Sequence, residues 1–293
     1  MNRVFGRVSV VMIVGMILVC LSVASVRAAE GESIVMSPTG KSLDLDAGST
    51  ASESFKIIND GTTAYDFKVY AAPYSVKNGS YDADFTSTPA GADAYTWVTF
   101  DKKQYHLEPG QNVDITYQIT VPDDATPGGH YGVIFAETQP DEKNKSNVVA
   151  KKRVGMILYT AINGDYTQAG REVETIIPSF SIGGVPSATM TVENTGNAHF
   201  TSKETFRVKN IFGQQVYERT LEHIILPKTT RDIGLSWENG ANLGWYTVET
   251  RSVILGKTTD HSSLVFVAPL WFLVAVTLVA FGIIYMLWRR FRR

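Results

Sequence analysis

The sequence predicts an all-β protein in which two antiparallel β-sandwiches follow one another and a single C-terminal transmembrane helix ends the chain. Three observations support this prediction. Short segments of alternating apolar and polar residues are separated by Gly, Pro and Asn turns about every 8–12 residues. No segment between the two ends of the chain shows convincing helical periodicity. The 293 residues are enough for about two domains of ordinary size.

The chain begins with the features of a secretory signal peptide. Arg3 and Arg7 precede the nearly uninterrupted apolar stretch 8–22, and Val26 and Ala28 place small residues before a cleavage point at Ala29. We therefore predict a signal peptide over residues 1–28 and export of the rest of the chain. If the segment stays uncleaved, it forms an N-terminal anchor instead.

The first predicted sandwich covers residues 29–166. The segment 113–121 alternates apolar and polar residues throughout, as a strand with one buried face does. Two further strands, 131–137 and 148–159, are joined by the polar segment 140–147, which we expect to be a solvated loop. Trp97 is the natural core residue of this unit.

The second predicted sandwich covers residues 167–264, with the boundary in the turn-rich segment 163–170. Its strands are predicted at 185–193, 205–209, 215–219, 221–226, 231–237, 244–255 and 262–265. The acidic pair Glu172 and Glu174 is expected on a solvated strand face.

Residues 265–288 form an uncharged run of 24 residues, long enough to cross a bilayer with some tilt. The basic tail 289–293 follows at once, with Arg289, Arg290, Arg292 and Arg293 as a stop-transfer signal. We predict a single-pass type I cell-membrane protein with an extracellular body and a cytoplasmic C-terminus.

Charge and cysteine content exclude several classes of function. Of the 27 Lys and Arg residues, seven lie in the two end segments, which leaves 20 against 29 acidic residues in the body. An acidic body of this kind does not favour nucleic-acid binding, which needs a basic face. The single cysteine, Cys20, lies in the signal peptide, so the body has no disulfide and no cysteine-ligated metal.

The sequence shows no local signature of catalysis. The five histidines are not paired at the spacing of metal ligands, and we expect them to be scattered on the surface. No Gly-x-Ser-x-Gly elbow occurs. We therefore predict no catalytic residues, no cofactor, no metal and no enzymatic activity.

Two groups of residues are candidates for contact with a cell-wall polymer or a protein partner. Lys151, Lys152 and Arg153 form a basic cluster in an acidic body, where an anionic polymer could be attracted. A tyrosine-bearing surface, represented by Tyr65, Tyr70 and Tyr74, is the rival, because aromatic faces can stack on sugar rings. Cross-strand packing is the alternative role for these tyrosines.

One family resemblance is carried by an ordered series of motifs. Leu43-Asp44-Leu45-Asp46-Ala47-Gly48, Phe55-Lys56-Ile57-Ile58-Asn59-Asp60-Gly61, Leu107-Glu108-Pro109-Gly110-Gln111 and the run from Val121 to Ile134 occur in that order. Over residues 31–165 this order resembles the peptidoglycan-binding Ig-like domain of WxL-interacting surface proteins. More distantly, it is similar to the first domain of pilus chaperones. The resemblance implies that both sandwiches are Ig-like and that the second binds a host or a partner protein.

From these observations we expect a non-enzymatic, membrane-anchored bacterial surface protein that binds cell-wall peptidoglycan, partner surface proteins or both. The first alternative is a pilus-chaperone-like assembly protein, which would offer an exposed edge strand to exported clients. The second is a cell-wall hydrolase, which would need a cleft with paired carboxylates of perturbed pKa.

Overall fold

The computed structural model describes residues 31–139, 151–238 and 241–291. Over these residues the chain is mostly β, with sandwich-like pairs of sheets and one apolar C-terminal helix. The predicted signal peptide, the polar segment 140–147, Arg292 and Arg293 lie outside the described residues.

The first pair of sheets contains strands from residues 34–162. The strands are β1 (Ile34–Ser37), β2 (Gly40–Leu45), β3 (Thr50–Asn59), β4 (Tyr65–Pro73), β5 (Ser75–Val76), β6 (Ala83–Asp84), β7 (Val98–Phe100), β8 (Gln104–Leu107), β9 (Asn112–Thr120), β10 (Gly128–Thr138) and β11 (Arg153–Ile162). One sheet has the order β1-β3-β9-β7 and the other β2-β11-β10-β4-β8. Strands β5 and β6 pair with each other in the segment that follows β4.

The second pair of sheets contains strands from residues 170–268. The strands are β12 (Gly170–Ile176), β13 (Phe180–Ile182), β14 (Ser187–Asn194), β15 (Phe200–Asn210), β16 (Gln215–Ile225), β17 (Thr230–Ser236), β18 (Gly244–Ile254) and β19 (Lys257–Ala268). One sheet has the order β12-β14-β17 and the other β13-β19-β18-β15-β16.

Both sandwiches begin with a strand that is divided between two sheets. In the first, β1 pairs antiparallel with β3, and β2 then crosses to the other sheet and pairs parallel with β11. In the second, β12 pairs antiparallel with β14, and β13 pairs parallel with β19. The two units therefore share most of one topology, and the second lacks a counterpart of β7 among the described residues.

Alternation of residues along the strands builds the two cores. In β9, Ile115, Tyr117 and Ile119 are buried, while Thr116 and Gln118 between them are exposed. Successive strand residues point to opposite faces of a sheet, so this pattern buries one face. Trp97 is only 6% exposed and belongs to the first core, which confirms the core role expected for it.

A third apolar cluster lies on the outer face of β10. Tyr131, Val133 and Phe135 of β10 pack there with Tyr74 and with Leu226 from the second sandwich. Because its other face lines the first core, β10 is buried on both sides. The segment after β4 and the second sandwich thus share one patch of buried surface.

A buried asparagine ends strand β3 in the first sandwich and strand β14 in the second, and each asparagine fixes the turn that follows its strand. The Asn59 amide nitrogen donates to the carbonyls of Thr63 and Leu107, and its side-chain oxygen accepts from the Gly61 N–H. Asn194 repeats all three bonds in the second unit, with Ala198, Ile225 and Gly196 as its partners. Both side chains are fully buried, so each satisfies backbone groups that water cannot reach.

The C-terminal helix α1 spans Leu270–Phe291 and begins later than predicted. Residues 265–268, predicted as part of the membrane span, belong to β19 and pair with β18 and β13. They are apolar because Val265, Val267 and Ala268 fill the second core. Among the described residues, α1 is the one helix long and apolar enough to cross a membrane.

Replacing Asn59 by Ala should lower the free energy of unfolding by about 2–5 kcal/mol, because two buried carbonyls and one N–H lose their partner. Urea unfolding of the exported part measures this loss. Asn112→Ala is the matched control, since Asn112 is an exposed residue of β9, and it should have little effect. Equal stability of the two variants would contradict the bracing role of Asn59.

Candidate functional site

Among the described residues, no strand pairs with the first four residues of β11 on one side, so they form an open sheet edge, with β1 of the facing sheet nearby. Strand β11 pairs with β10 from Arg153 onwards, but β2 covers its other side only from Ile157 to Ile162. The Ile157 N–H faces that side, because it donates to the Thr39 carbonyl at 3.0 Å. Backbone groups alternate in direction along a strand, so the N–H and C=O groups of Arg153 and Gly155 point to the open side.

A groove of about 440 Å³ adjoins this open edge on the outer face of the sheet. Tyr70 of β4, Phe135 of β10, Phe85 and Arg153 line it. The Arg153 guanidinium lies 4.2 Å from the centre of the Phe135 ring and 5.8 Å from that of Phe85, as cation–π contacts require. We call the open backbone of residues 153–156 together with this groove the β11 edge site.

Gly155 lets the aromatic wall of the groove approach the strand. A Cβ atom at this position would lie 2.9 Å from the Phe135 ring and 3.0 Å from Val133. Phe135 therefore lies over the backbone of β11, where a larger residue at position 155 would displace it.

Positive charge dominates the surroundings of the site. Glu137 accepts a hydrogen bond of 2.8 Å from the Tyr70 hydroxyl, and the Lys68 and Lys151 ammonium groups lie 3.6 and 3.7 Å from its carboxylate. The Tyr70 hydrogen bond, helped by the two lysines, outweighs burial and lowers the pKa of Glu137. Four cationic side chains, Lys68, Lys77, Lys151 and Arg153, thus lie at the site with two carboxylates, Glu137 and Asp84.

The structure brings three of the six predicted contact residues together, since Lys151, Arg153 and Tyr70 meet around Glu137. The Lys152 ammonium instead bonds to the Glu32 carbonyl. Their role in binding stays a prediction.

Two of the predicted tyrosines are buried and do not belong to this surface. The Tyr65 hydroxyl donates to the carbonyls of Ser33 and Ile58 at the edge of the first core. Tyr74 packs in the third cluster against Phe85 and Tyr159. Arg289 and Arg290 lie in the last turn of α1, whereas the basic tail was predicted to follow the helix. Their stop-transfer role stays a prediction.

Sequence reasoning missed Phe85. It is a lone apolar residue between Asp84 and Thr86, and no periodicity marks it. The only available signal is a large aromatic side chain in an otherwise polar connection, which is expected to find an apolar surface to cover.

A second concavity, of about 610 Å³, lies between the two sandwiches. Tyr74, His130 and Tyr131 line it from the first unit, and Asn197 and Leu226 from the second. The Gly129 N–H donates to the Asn197 carbonyl at 2.8 Å and closes one end of the junction.

His130 is the titratable group built into the wall of this cleft. It is 5% exposed, with Nδ1 2.7 Å from Asp93, Nε2 2.8 Å from the Thr126 carbonyl, and its ring 4.8 Å from that of Trp97. Burial alone would lower the pKa of His130, but the hydrogen bonds to Asp93 and Thr126 outweigh it and raise this pKa.

The expectation that the histidines are scattered on the surface is wrong for most of them. His199 packs between Tyr131 and Tyr159, and burial lowers its pKa. His223 and His261 each bond to a buried carboxylate, Glu204 and Glu172 respectively. These partners lie on other strands, so spacing along the chain could not reveal them.

Glu172 is not on a solvated strand face, contrary to expectation. A bulge between Glu172 and Glu174 turns its side chain towards Ser252 and His261. Among the described residues no group of three or more His, Cys, Asp or Glu side chains could hold a metal ion.

No family model and no curated protein matches the chain. Solved structures do match it. The E. coli chaperone DraB is 12% identical, with 80% of this chain and 97% of that chain covered at a TM-score of 0.41. The class 5 fimbriae chaperone CfaA is 12% identical over 80% and 99%, with a TM-score of 0.40. A chain from the complex of the Salmonella enterica SafA pilin with the SafB chaperone is 14% identical over 82% and 98%, with a TM-score of 0.41.

The prediction that this chain binds cell-wall peptidoglycan is wrong. The similar solved structures above are described as a chaperone, a fimbriae chaperone and a chaperone–pilin complex. The geometry of the site also departs from the prediction, because Tyr65 and Tyr74 are buried and offer no stacking platform for sugar rings. At these identities and TM-scores the likeness does not identify a partner for this chain. The proposed function therefore rests on the β11 edge site.

Replacing Asp93 by Asn should lower the melting temperature more at about pH 6 than at about pH 8. A raised folded-state pKa of His130 means that the stabilisation is complete below the unfolded pKa, about 6.5, and is lost as pH rises through the folded value. Thermal unfolding at the two pH values measures the difference. Asp124→Asn, at an exposed position, should show no such dependence. An equal loss at both pH values for Asp93→Asn would contradict the charged pair.

Proposed function

We propose that this protein is a non-enzymatic, membrane-anchored assembly protein that holds an extended segment of an exported partner by adding it as a strand to β11. The observation that carries this proposal is the open edge at Arg153–Met156, which lies beside an aromatic and basic groove. In strand addition, backbone hydrogen bonds supply affinity and pockets for alternate side chains supply specificity. The β11 edge site has both parts.

The residues that line the groove indicate which kind of partner segment would fit it. Phe85, Phe135 and the ring of Tyr70 form an apolar wall suited to an aromatic or branched aliphatic side chain. The excess of cations favours a segment with an acidic residue close to that side chain. Because the rest of the body is acidic, such a segment would be repelled elsewhere and attracted here.

The other long open edges are less suited to pairing. Strand β16 has a free side over its whole length, but Glu218, Arg219 and Glu222 make it strongly charged. The open part of β19, before Phe266, includes Lys257, Asp260 and His261. Charged residues on an edge strand discourage pairing with another chain, whereas the open part of β11 contains one charge, Arg153.

Anchoring follows from α1 and the basic residues that end it. Its uncharged part, residues 270–288, is 19 residues long, and Arg289 and Arg290 follow in the last turn. We propose that the basic end lies in the cytoplasm, as positive residues beside a span favour. The partner would then be another protein at the outer surface of the membrane.

Photo-crosslinking in the native cell tests the site. A benzoylphenylalanine at position 151 should cross-link to an extended segment of one partner, identified by mass spectrometry. The same label at position 222, on the open edge of β16, is the matched control and should not capture that segment. Capture from position 222 alone would place the partner on the wrong sandwich for this proposal.

Two substitutions of Arg153 distinguish binding through backbone pairing from binding through side-chain contact. Arg153→Ala removes the guanidinium, while Arg153→Pro removes the guanidinium and the open N–H and leaves the bonds to β10 intact, as edge positions allow. Binding of a synthetic peptide from the cross-linked segment should be weaker for Arg153→Pro than for Arg153→Ala by about fivefold or more, the value of one lost backbone bond. Equal affinities would show that the backbone does not pair.

A further inference from the structure

The end of the second sandwich next to α1 exposes large apolar side chains. They are Phe180, Ile182, Ile211, Phe212, Leu243 and Trp245. Phe212 is 81% exposed at the tip of the hairpin between β15 and β16. Single exposed apolar residues are ordinary, but six at one end of a domain mark an interaction surface.

Strand pairing places these residues at the same end. Asn210, the last residue of β15, pairs with Tyr246, and Gly244, the first residue of β18, pairs with Val267. Ile182, the last residue of β13, pairs with Ala268. The hairpin tip, the start of β18 and the end of β13 therefore meet where β19 runs into the helix.

The connection to the helix is too short to separate this end from the membrane. Pro269 alone stands between β19 and α1, so the Cα atoms of Ala268 and Leu270 are at most about 7.6 Å apart. The Ala268 carbonyl still accepts from Gly183 in the sheet, and the Pro269 carbonyl accepts from Phe272 in the helix. Ordered structure thus continues through the junction on both sides.

The length of α1 sets the depth of this end. Residues 270–288 rise about 28 Å as a helix, close to the roughly 30 Å of a hydrocarbon core. Leu270 therefore lies at the boundary of the hydrocarbon, and the end of the sandwich lies in the headgroup layer, which is roughly 5–7 Å thick on each side.

The amino-acid composition of this end of the second sandwich suits the headgroup layer. Its described connecting residues 183–186, 211–214, 237–238 and 241–243 include one charged residue, Glu238. Phe266 lies between Phe180 and Trp245, with ring centres 5.9 and 5.0 Å apart, which forms an aromatic row beside the helix start. Tryptophan and other amphipathic aromatics are enriched at membrane–water interfaces.

We infer that these six residues form a lipid-contacting collar, which seats the second sandwich in the interfacial layer of the bilayer. The inference rests on the proposed anchoring of α1 and is independent of strand addition at β11. The collar would restrict how the body tilts over the membrane, since the sandwich touches lipid on several sides of a one-residue connection.

Depth-dependent quenching tests the collar in the full-length protein reconstituted into phosphatidylcholine vesicles. With Cys20 replaced by Ser, an NBD fluorophore is attached to Phe212→Cys or to Leu255→Cys. Leu255 is the matched control, because it is an exposed apolar residue in a hairpin turn at the opposite end of the same sandwich. Lipids that have a doxyl group high in the acyl chain should quench the label at position 212 severalfold more than the label at 255.

The other possible results distinguish failure of the collar from failure of the membrane anchor. If the protein floats with the vesicles but position 212 is quenched no more than 255, the collar is wrong and the anchor stands. A blue-shifted but unquenched label at 212 would mean that protein covers this end, which also overturns the proposal. If the protein fails to float, anchoring by α1 fails and the collar fails with it.

Discussion

The division of each first strand between two sheets determines what the rest of the structure leaves unpaired. In the first sandwich, β1 completes one sheet and only the six residues of β2 remain to pair with the ten residues of β11. The four residues left over are the open end at Arg153–Met156. Backbone N–H and C=O groups need partners or water, so this open end is where the proposed partner segment would pair.

The union of the two sandwiches depends on a tyrosine from the segment after β4. The Tyr81 hydroxyl donates to the Ile224 carbonyl and accepts from the Leu226 N–H, while Arg231 lies 4.4 Å over its ring. Nearby, Gly79 forms a bridge with Arg231 at the start of β17. A segment that belongs to the first unit thereby completes the edge of the second, and the two units share buried surface and backbone bonds.

Much of the fold could be predicted from the sequence, because it depends on local patterns. The alternation in 113–121 and the turn residues around Asn59 and Asn194 are visible in single segments. The end of β19 was mistaken for membrane span, since a buried strand and a span are both continuous apolar runs. The pairing of residues 265–268 with β18 and β13 separates the two.

Only part of the candidate site could be predicted from the sequence. The cluster Lys151-Lys152-Arg153 is contiguous in sequence and could be found there. The aromatic wall could not, because Phe85, Phe135 and Tyr70 come from three distant segments. Tyr65 and Tyr74 show the opposite failure: composition suggested a sugar-binding surface, while Tyr65 is buried at the first core and Tyr74 in the third apolar cluster. Side-chain type alone does not say which face of a sheet a residue occupies.

The polar residues in the second core have a consequence for how its strands align during folding. Glu204 is fully buried, and its carboxylate bonds to His223 across the β15–β16 hairpin and to Ser202 on its own strand. If β16 shifted along β15 by two residues, the apolar contacts would largely be replaced, but Glu204 would lose the imidazole and keep only the Ser202 hydroxyl of its own strand. Breaking such a pair on one side costs about 3–5 kcal/mol. Interchangeable aliphatic contacts cannot distinguish one register from the next. In this sandwich the pair of Glu204 and His223 therefore determines the register of β16 against β15.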